Sequence, residues 1–101
     1  MARKIVPTTL PDSPVIRTAG DVGRHVRAKR TRDGLRIDDA AALCGVQASM
    51  LSALENASRS VGLDKALEVL NGLGFAVLIA PKPEAERWLR LAATAEHAND
   101  E

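Results

Sequence analysis

The 101-residue chain has very few aromatic side chains, with one Phe, one Trp and no Tyr. Hydrophobic residues nevertheless make up 46% of it, so any core is built mainly from Ala, Leu, Val and Ile. Such a composition favours closely packed helices over sheets, because strands select β-branched and aromatic side chains. We therefore predict an all-α domain.

Cysteine and long apolar runs are also scarce. A single cysteine, Cys44, excludes a disulfide within the chain and is typical of the reducing cytoplasm. The longest apolar run, Phe75–Ala80, is too short to span a bilayer, and the first residues lack the apolar core of a signal peptide. We expect a cytoplasmic protein with no membrane partner.

Residues that could form a catalytic or metal site are missing as well. His25 and His97 have no Cys, His or carboxylate cluster at ligand spacing, and no histidine near Cys44 in the sequence could activate its thiol. The glycines form no phosphate-binding loop. We expect no cofactor, no metal and no enzymatic activity.

The net charge of +1 conceals a strong asymmetry along the chain. Residues 1–36 contain nine Lys or Arg and three acidic residues, whereas residues 37–101 contain five and ten. A basic first third indicates one surface directed at a polyanion, although solvated cations on a helix surface would look the same.

Prolines and helical periodicity divide the chain into four parts. Three prolines within residues 1–19 prevent a helix and predict an extended or disordered tail. Residues 20–74 then show four helical segments, at about 21–32, 38–44, 47–56 and 63–73. The apolar stripe of the fourth segment consists of Leu63, Ala66, Leu67, Leu70 and Leu73.

The third part, residues 75–81, is predicted to be a dimerisation strand because a short, uncharged apolar run ends at Pro81. A lone strand leaves its backbone groups unpaired, so we expect the same strand of a second copy to pair with it about a two-fold axis. The side chains expected at this contact are Phe75, Val77, Leu78 and Ile79.

The fourth part, residues 82–101, is predicted to be an amphipathic helix and a tail. Trp88 lies on its apolar face. Two roles for Trp88 stay open, which are covering the core of the dimer and anchoring a partner protein.

Two short helical segments flank Gly45-Val46, a pattern typical of a helix-turn-helix unit. The first helix of such a unit contacts the DNA backbone, and the second lies in the major groove. Small polar side chains suit the start of the second helix, because bulky ones would hold it away from the base edges. The predicted DNA-reading residues are Gln47, Ala48, Ser49 and Ser52, and Ala53 is also expected to face outward.

Seven short motifs at characteristic spacing span about residues 20–74. They are Asp33-Gly34-Leu35, Ala40-Ala41, Gly45-Val46, Leu51-Ser52, Glu55-Asn56, Leu63-Asp64 and Leu73-Gly74. Together they resemble the XRE-type (Cro/CI-like) helix-turn-helix family. The resemblance implies a lambda-repressor-like domain of four to five helices that binds double-stranded operator DNA.

Within that family, the apolar segment Phe75–Ala80 followed by a short tail is similar to the HipB-type antitoxins, which dimerise through such a strand. This resemblance implies a homodimer on a palindromic operator, repression of its own operon and neutralisation of a HipA-like serine/threonine kinase toxin. It also implies association with the nucleoid.

The chain departs from the family pattern in two places. Arg36-Ile37 stands where the family usually has Thr-Gln, so the charge of Arg36 replaces a neutral phosphate contact, and a helix cap worth about 1 kcal/mol is lost. Ala48 stands where the family often has a base-reading Gln and can contact only a thymine methyl group. Arg30 and Glu55 stand where the family places an ion pair between the first and third helices, which implies a structural role.

Four arginines are candidates for contacts with DNA phosphates, namely Arg27, Arg32, Arg36 and Arg59. We expect two or three such contacts, first of all from Arg36 and Arg59, because these two flank the helix pair. Two other functions stay open. A stand-alone repressor would have no kinase-like gene beside its own, and a protein-binding adaptor that has lost DNA binding would account for Ile37 and Ala48.

Overall fold

The computed structural model describes residues 4–99, with side chains described through residue 94. Over these residues it forms five α-helices and no strand. The all-α class predicted from the composition is thereby confirmed, and each helix boundary lies within two residues of its predicted position. The helices are Ala19–Arg32 (α1), Ile37–Cys44 (α2), Ala48–Asn56 (α3), Leu63–Gly72 (α4) and Lys82–Asn99 (α5).

Helix α1 begins at Ala19 because Thr18 and Asp21 form a capping box. The Thr18 hydroxyl accepts from the Asp21 amide at 3.1 Å, and the Asp21 carboxylate accepts from the amides of Arg17 and Thr18. These amides and the guanidinium of Arg24 hold the pKa of Asp21 below its usual value. The cap therefore stabilises the fold at neutral pH and is lost as the pH falls through that lowered pKa.

The core lies where α1 and α2 pack on α3 and α4 packs on α2. Its largest fully buried side chains are Val26, Leu51 and Val69. Helix α1 approaches the end of α3 so closely that a Cβ at Gly23 would lie 2.5 Å from the Glu55 carbonyl oxygen. Only glycine fits there, since backbone atoms cannot move aside as a side chain can.

The apolar stripe of α4 is rotated relative to the prediction. Val69, which the stripe did not include, is fully buried, and Leu73 is buried beside it. Leu63 and Leu67 are instead exposed, because the helix presents its Val69 edge to α2.

The predicted strand at Phe75–Ala80 is not formed within this single chain, where the segment has neither helix nor strand structure. A strand requires a neighbouring strand for its hydrogen bonds, and the described residues of one chain provide none. We call residues 75–80 the apolar segment. Helix α5 follows it and lies outside the packing of α1–α4.

The described part of the N-terminal tail, residues 4–17, has no regular secondary structure and lies along α1. The Thr8 amide donates to the Thr31 hydroxyl at 3.0 Å, and Ser13 O lies 3.0 Å from His25 Nε2. We call residues 4–17 the N-terminal arm. Among residues 4–99, no helix combines the length and apolarity that a membrane crossing requires.

Candidate nucleic-acid interface

The turn between α2 and α3 is set by Gly45, whose φ of 72° lies in the left-handed region that favours glycine. The Gly45 and Val46 amides donate back to Ala42 O and Ala41 O, which satisfies carbonyls at the end of α2. Val46 packs on the core and fixes the direction in which the chain leaves the helix. The turn thus sets the angle between the two helices.

Helix α3 presents a narrow polar face to solvent. Its buried side contains Leu51 and Leu54, whereas Ser49 is exposed and Ser52 is half-buried. Asn56 is exposed one turn beyond Ser52 and donates to Ser52 O at 3.0 Å. The spacing of 49, 52 and 56 places these three residues on one helical face.

Sequence reasoning did not include Asn56 among the DNA-reading residues. The signal was nevertheless available, because a polar residue at position 56 extends the i, i+3, i+7 pattern started by Ser49 and Ser52. An asparagine side chain both donates and accepts hydrogen bonds, so it suits an adenine edge.

Two alanines of α3 that are predicted to face outward are less exposed than expected. Ala53 is buried, so the expectation that it faces outward is wrong, because it lies on the edge of α3 next to the core face. Ala48 is half-buried and packs against the core. Gln47 occupies the N-cap position of α3, but its side chain makes no capping hydrogen bond, and the residue is exposed. Gln47 is therefore available to a ligand at the start of α3.

Arg30 and Glu55 form a buried ion pair that joins α1 to α3. Arg30 Nε donates to Glu55 Oε2 at 2.6 Å, and Arg30 Nη2 donates to Glu55 Oε1 at 2.9 Å. A third bond runs from Arg30 Nη1 to Leu35 O at 2.8 Å. The guanidinium holds α3 against α1 and also fixes the chain before α2.

The cations of α1 divide into two groups by their partners. Arg24 pairs with Asp21, Lys29 with Asp33 and Arg30 with Glu55. Arg27 and Arg32 are exposed and form no ion pair with the side chains described through residue 94. Their full charge is therefore available to an anion.

Arg36 and Arg59 are exposed at opposite ends of the α2–α3 unit, and they too form no ion pair among the described side chains. Arg36 occupies the N-cap position of α2, but its side chain makes no capping hydrogen bond to the helix. Its guanidinium is therefore free to extend toward a ligand. Arg59 lies in the loop after α3. The four candidate phosphate-contacting arginines are thus all exposed, and none is neutralised by a carboxylate among residues 4–94.

One cation near the turn is not predicted by the sequence analysis. Lys65, in the first turn of α4, lines a groove of about 440 Å³ together with Gly45, Val46, Gln47 and Met50. Its only described charge partner is Glu68 at 3.4 Å. Lys65 is 18 residues from Gln47 in the chain, so only the packing of α4 on α2 brings it to this groove.

Cys44 lies at the end of α2 against Gly72, with its Sγ 3.6 Å from Val69 O. Burial raises the pKa of the thiol. A neutral, partly buried thiol is a packing group and a poor nucleophile.

Residues 26–77, just over half of the chain, match a family model described as helix-turn-helix. The match includes α2, the turn and α3, together with the ion pair and the start of the apolar segment. No curated protein matches the chain.

Proposed function

Because the chain belongs to the XRE-type helix-turn-helix family of DNA-binding regulators, we propose that it is a transcriptional repressor that binds a palindromic operator as a homodimer. The observation that carries this proposal is the exposed polar face of α3, with Gln47 at its start. Arg36 before α2 and Arg59 after α3 are exposed and form no ion pair with the described side chains.

In the proposed complex, phosphate contacts and base contacts have separate roles. Arg36 and Arg59 set the register of the domain on the backbone, and Arg27 and Arg32 add charge. Gln47 and Ser49 reach base edges in the major groove, where the donors and acceptors of each base pair differ. Ser52 and Asn56 extend this contact along α3, and Ala48 contributes little more than packing.

Selection from a random duplex library tests this function. The full chain is expected to enrich a two-fold symmetric sequence whose half-sites lie about one helical turn, or 34 Å, apart. Gel retardation with the selected duplex should then weaken steeply as salt rises. Enrichment of no sequence, together with an affinity that salt does not change, would favour a protein-binding adaptor instead.

The homodimer is supported by the exposure of the apolar segment. Val77, Leu78 and Ile79 are 53%, 77% and 96% exposed. Phe75 differs from them, because it lies edge-to-face with His25 at 6.2 Å and packs on its own core. Positions 77–79 are therefore the ones available to a second chain.

A strand of six residues is only about 20 Å long and cannot by itself bury the roughly 800 Å² per partner of a typical stable interface. Helix α5 supplies further apolar surface, since Trp88 is 46% exposed and Leu91 is 63% exposed. We therefore include α5 in the dimer contact, with Trp88 covering the paired segments.

Replacing Val77 with proline is expected to convert the dimer to a monomer. Proline lacks the amide that would donate across the paired segments. Within one chain no described hydrogen bond uses the Val77 amide, so the fold itself is expected to persist. Sedimentation velocity measures the mass and circular dichroism measures the helicity.

Val77→Ile is the matched control for that experiment. It keeps the amide, the β-branched shape and the apolar side chain, so it should remain dimeric. A proline variant that still sediments as a dimer would refute pairing through the apolar segment.

At a finer level, we propose that this repressor is the antitoxin of a HipA-like kinase. The support is the similarity of the apolar segment and the short tail that follows it to the corresponding part of HipB-type antitoxins. The antitoxin would act by binding the kinase and not by catalysis, in the nucleoid region of the cytoplasm. Co-expression with the neighbouring reading frame tests it, because a kinase that co-purifies and loses activity is expected. A neighbour that is no kinase favours the stand-alone repressor.

A further inference from the structure

The N-terminal arm bonds to α1 at two places and leads into the Thr18 cap, so it runs antiparallel to the helix. Thr8 bonds to Thr31 near the end of α1, Ser13 bonds to His25 in its middle, and Thr18 caps its start. The order of contacts along the arm is therefore the reverse of their order along the helix. Such a series of contacts is expected of a seated segment, meaning one that packs along the helix in a defined position.

Burial on α1 gives an independent sign that the arm is seated. Ala28 has no exposed surface, yet it lies about 200° around the helix from Val26, which faces the core. Ala28 also lies between His25 and Thr31, the two residues of α1 that bond the arm. The arm thus passes over Ala28 on the side of α1 that faces away from the core.

Thr31 is the deepest of these contacts. It is buried, and its hydroxyl donates to Arg27 O at 2.9 Å while it accepts from the Thr8 amide. Both hydrogen-bonding roles of the hydroxyl are used, so valine at this position would leave the Thr8 amide without its acceptor.

The seated arm completes a basic groove of about 510 Å³. The arm forms one wall with Lys4, α1 forms another with Arg27, and the start of α2 forms the third with Arg36. Arg30 also lines the groove but is neutralised by Glu55, and Asp38 contributes one exposed carboxylate. Three cations without described ion-pair partners therefore face one carboxylate.

We propose, on the premise that the chain binds DNA as inferred above, that the N-terminal arm is part of the DNA-binding surface. Docking on Thr31 places Lys4 beside Arg27 and Arg36, and this groove receives the sugar–phosphate backbone next to the site read by α3. Lys4 is a phosphate-contacting residue. Thr31 is a positioning residue, which acts through the arm.

Lys4→Ala tests the contact. For a phosphate-neutralising cation, the slope of log Kobs against log salt should become less negative by about 0.9 for each bound protomer. The probe is a random-sequence duplex of about three helical turns. Lys82→Ala, at an exposed lysine at the start of α5, removes the same charge outside the groove and should leave the slope unchanged.

Thr31→Val tests the positioning role. It should make the slope of log Kobs against log salt less negative by the same amount as Lys4→Ala does. It should also raise the hydrogen-exchange rate of the Thr8 amide. The Lys4→Ala, Thr31→Val double variant should show no further reduction, because both changes remove the same contact. Thr31→Ser keeps the hydroxyl and should restore the parental slope and the protection of Thr8.

Failure of the arm and failure of DNA binding give different results. A parental chain that binds DNA, with a slope that Lys4→Ala leaves intact, would overturn the role of the arm alone. Additive effects of Lys4→Ala and Thr31→Val would overturn positioning through Thr31. A parental chain that does not bind the duplex would overturn both the arm contact and the proposed function.

Discussion

Glutamate at both Ser49 and Ser52 is expected to lower the affinity for the selected duplex by about a thousandfold, or about 4 kcal/mol. The change places two carboxylates per protomer on the face of α3 that enters the major groove, between the two negatively charged phosphate backbones. The fold should persist, because Ser49 is exposed in the first turn of α3, where a carboxylate is favourable. Ser52 loses only a contact of 3.4 Å from the Asn56 side chain to its hydroxyl.

The matched control adds the same charge elsewhere. Asn71→Glu with Ala93→Glu changes two exposed positions, one on α4 and one on the face of α5 opposite Trp88 and Leu91, and it should reduce the affinity only slightly through the net charge. Gel retardation of the two variants side by side separates a local effect from a global one. Equal affinities for both variants would contradict the assignment of α3 as the reading helix.

Arg30→Met is expected to lower the free energy of unfolding by about 3–5 kcal/mol. The Glu55 side chain is only 3% exposed, so removing its partner leaves a buried carboxylate without compensation. Leu35 O loses a donor in the same change. Denaturant titration measures the loss, and all variants must be compared at one protein concentration because the stability of a dimer depends on it.

Lys29→Met removes the neighbouring cation on the same helix as a control. Its pair with Asp33 at 2.6 Å is more than a third exposed, so the loss should stay below about 1 kcal/mol. Arg30→Met combined with Glu55→Leu should recover much of the stability, since no charge is then left buried. A cost for Arg30→Met as small as that of Lys29→Met would show that the pair does not hold α1 on α3.

The helices could be predicted closely because their signals are local. Gly45 ends α2 through its own backbone freedom, and the spacing of Leu51 and Leu54 marks the buried side of α3. The predicted start of α1 is less accurate. The sequence predicts a start at Asp21, whereas Thr18 is the N-cap residue and the Asp21 side chain completes the cap from the third helical position.

Burial at the edges of helices was predicted less well. Ala53 is buried and Leu63 is exposed, the reverse of what their stripes indicate. A periodic pattern gives the axis of the apolar face but not its width, because the width depends on which neighbouring helix covers each edge. The alanine-rich sequence makes this harder, since alanine fits both environments.

Sequence by itself determined the helical class, the turn at Gly45 and the polar face that starts at Ser49, because each depends on residues within a few positions of one another. Only the tertiary structure decided that Arg27 and Arg36 have no ion-pair partner among the described side chains, that Lys65 lies beside Gln47, and that Thr8 docks on Thr31. These relations join residues far apart in the chain, and their distances are set by how α1–α4 pack and not by any local pattern.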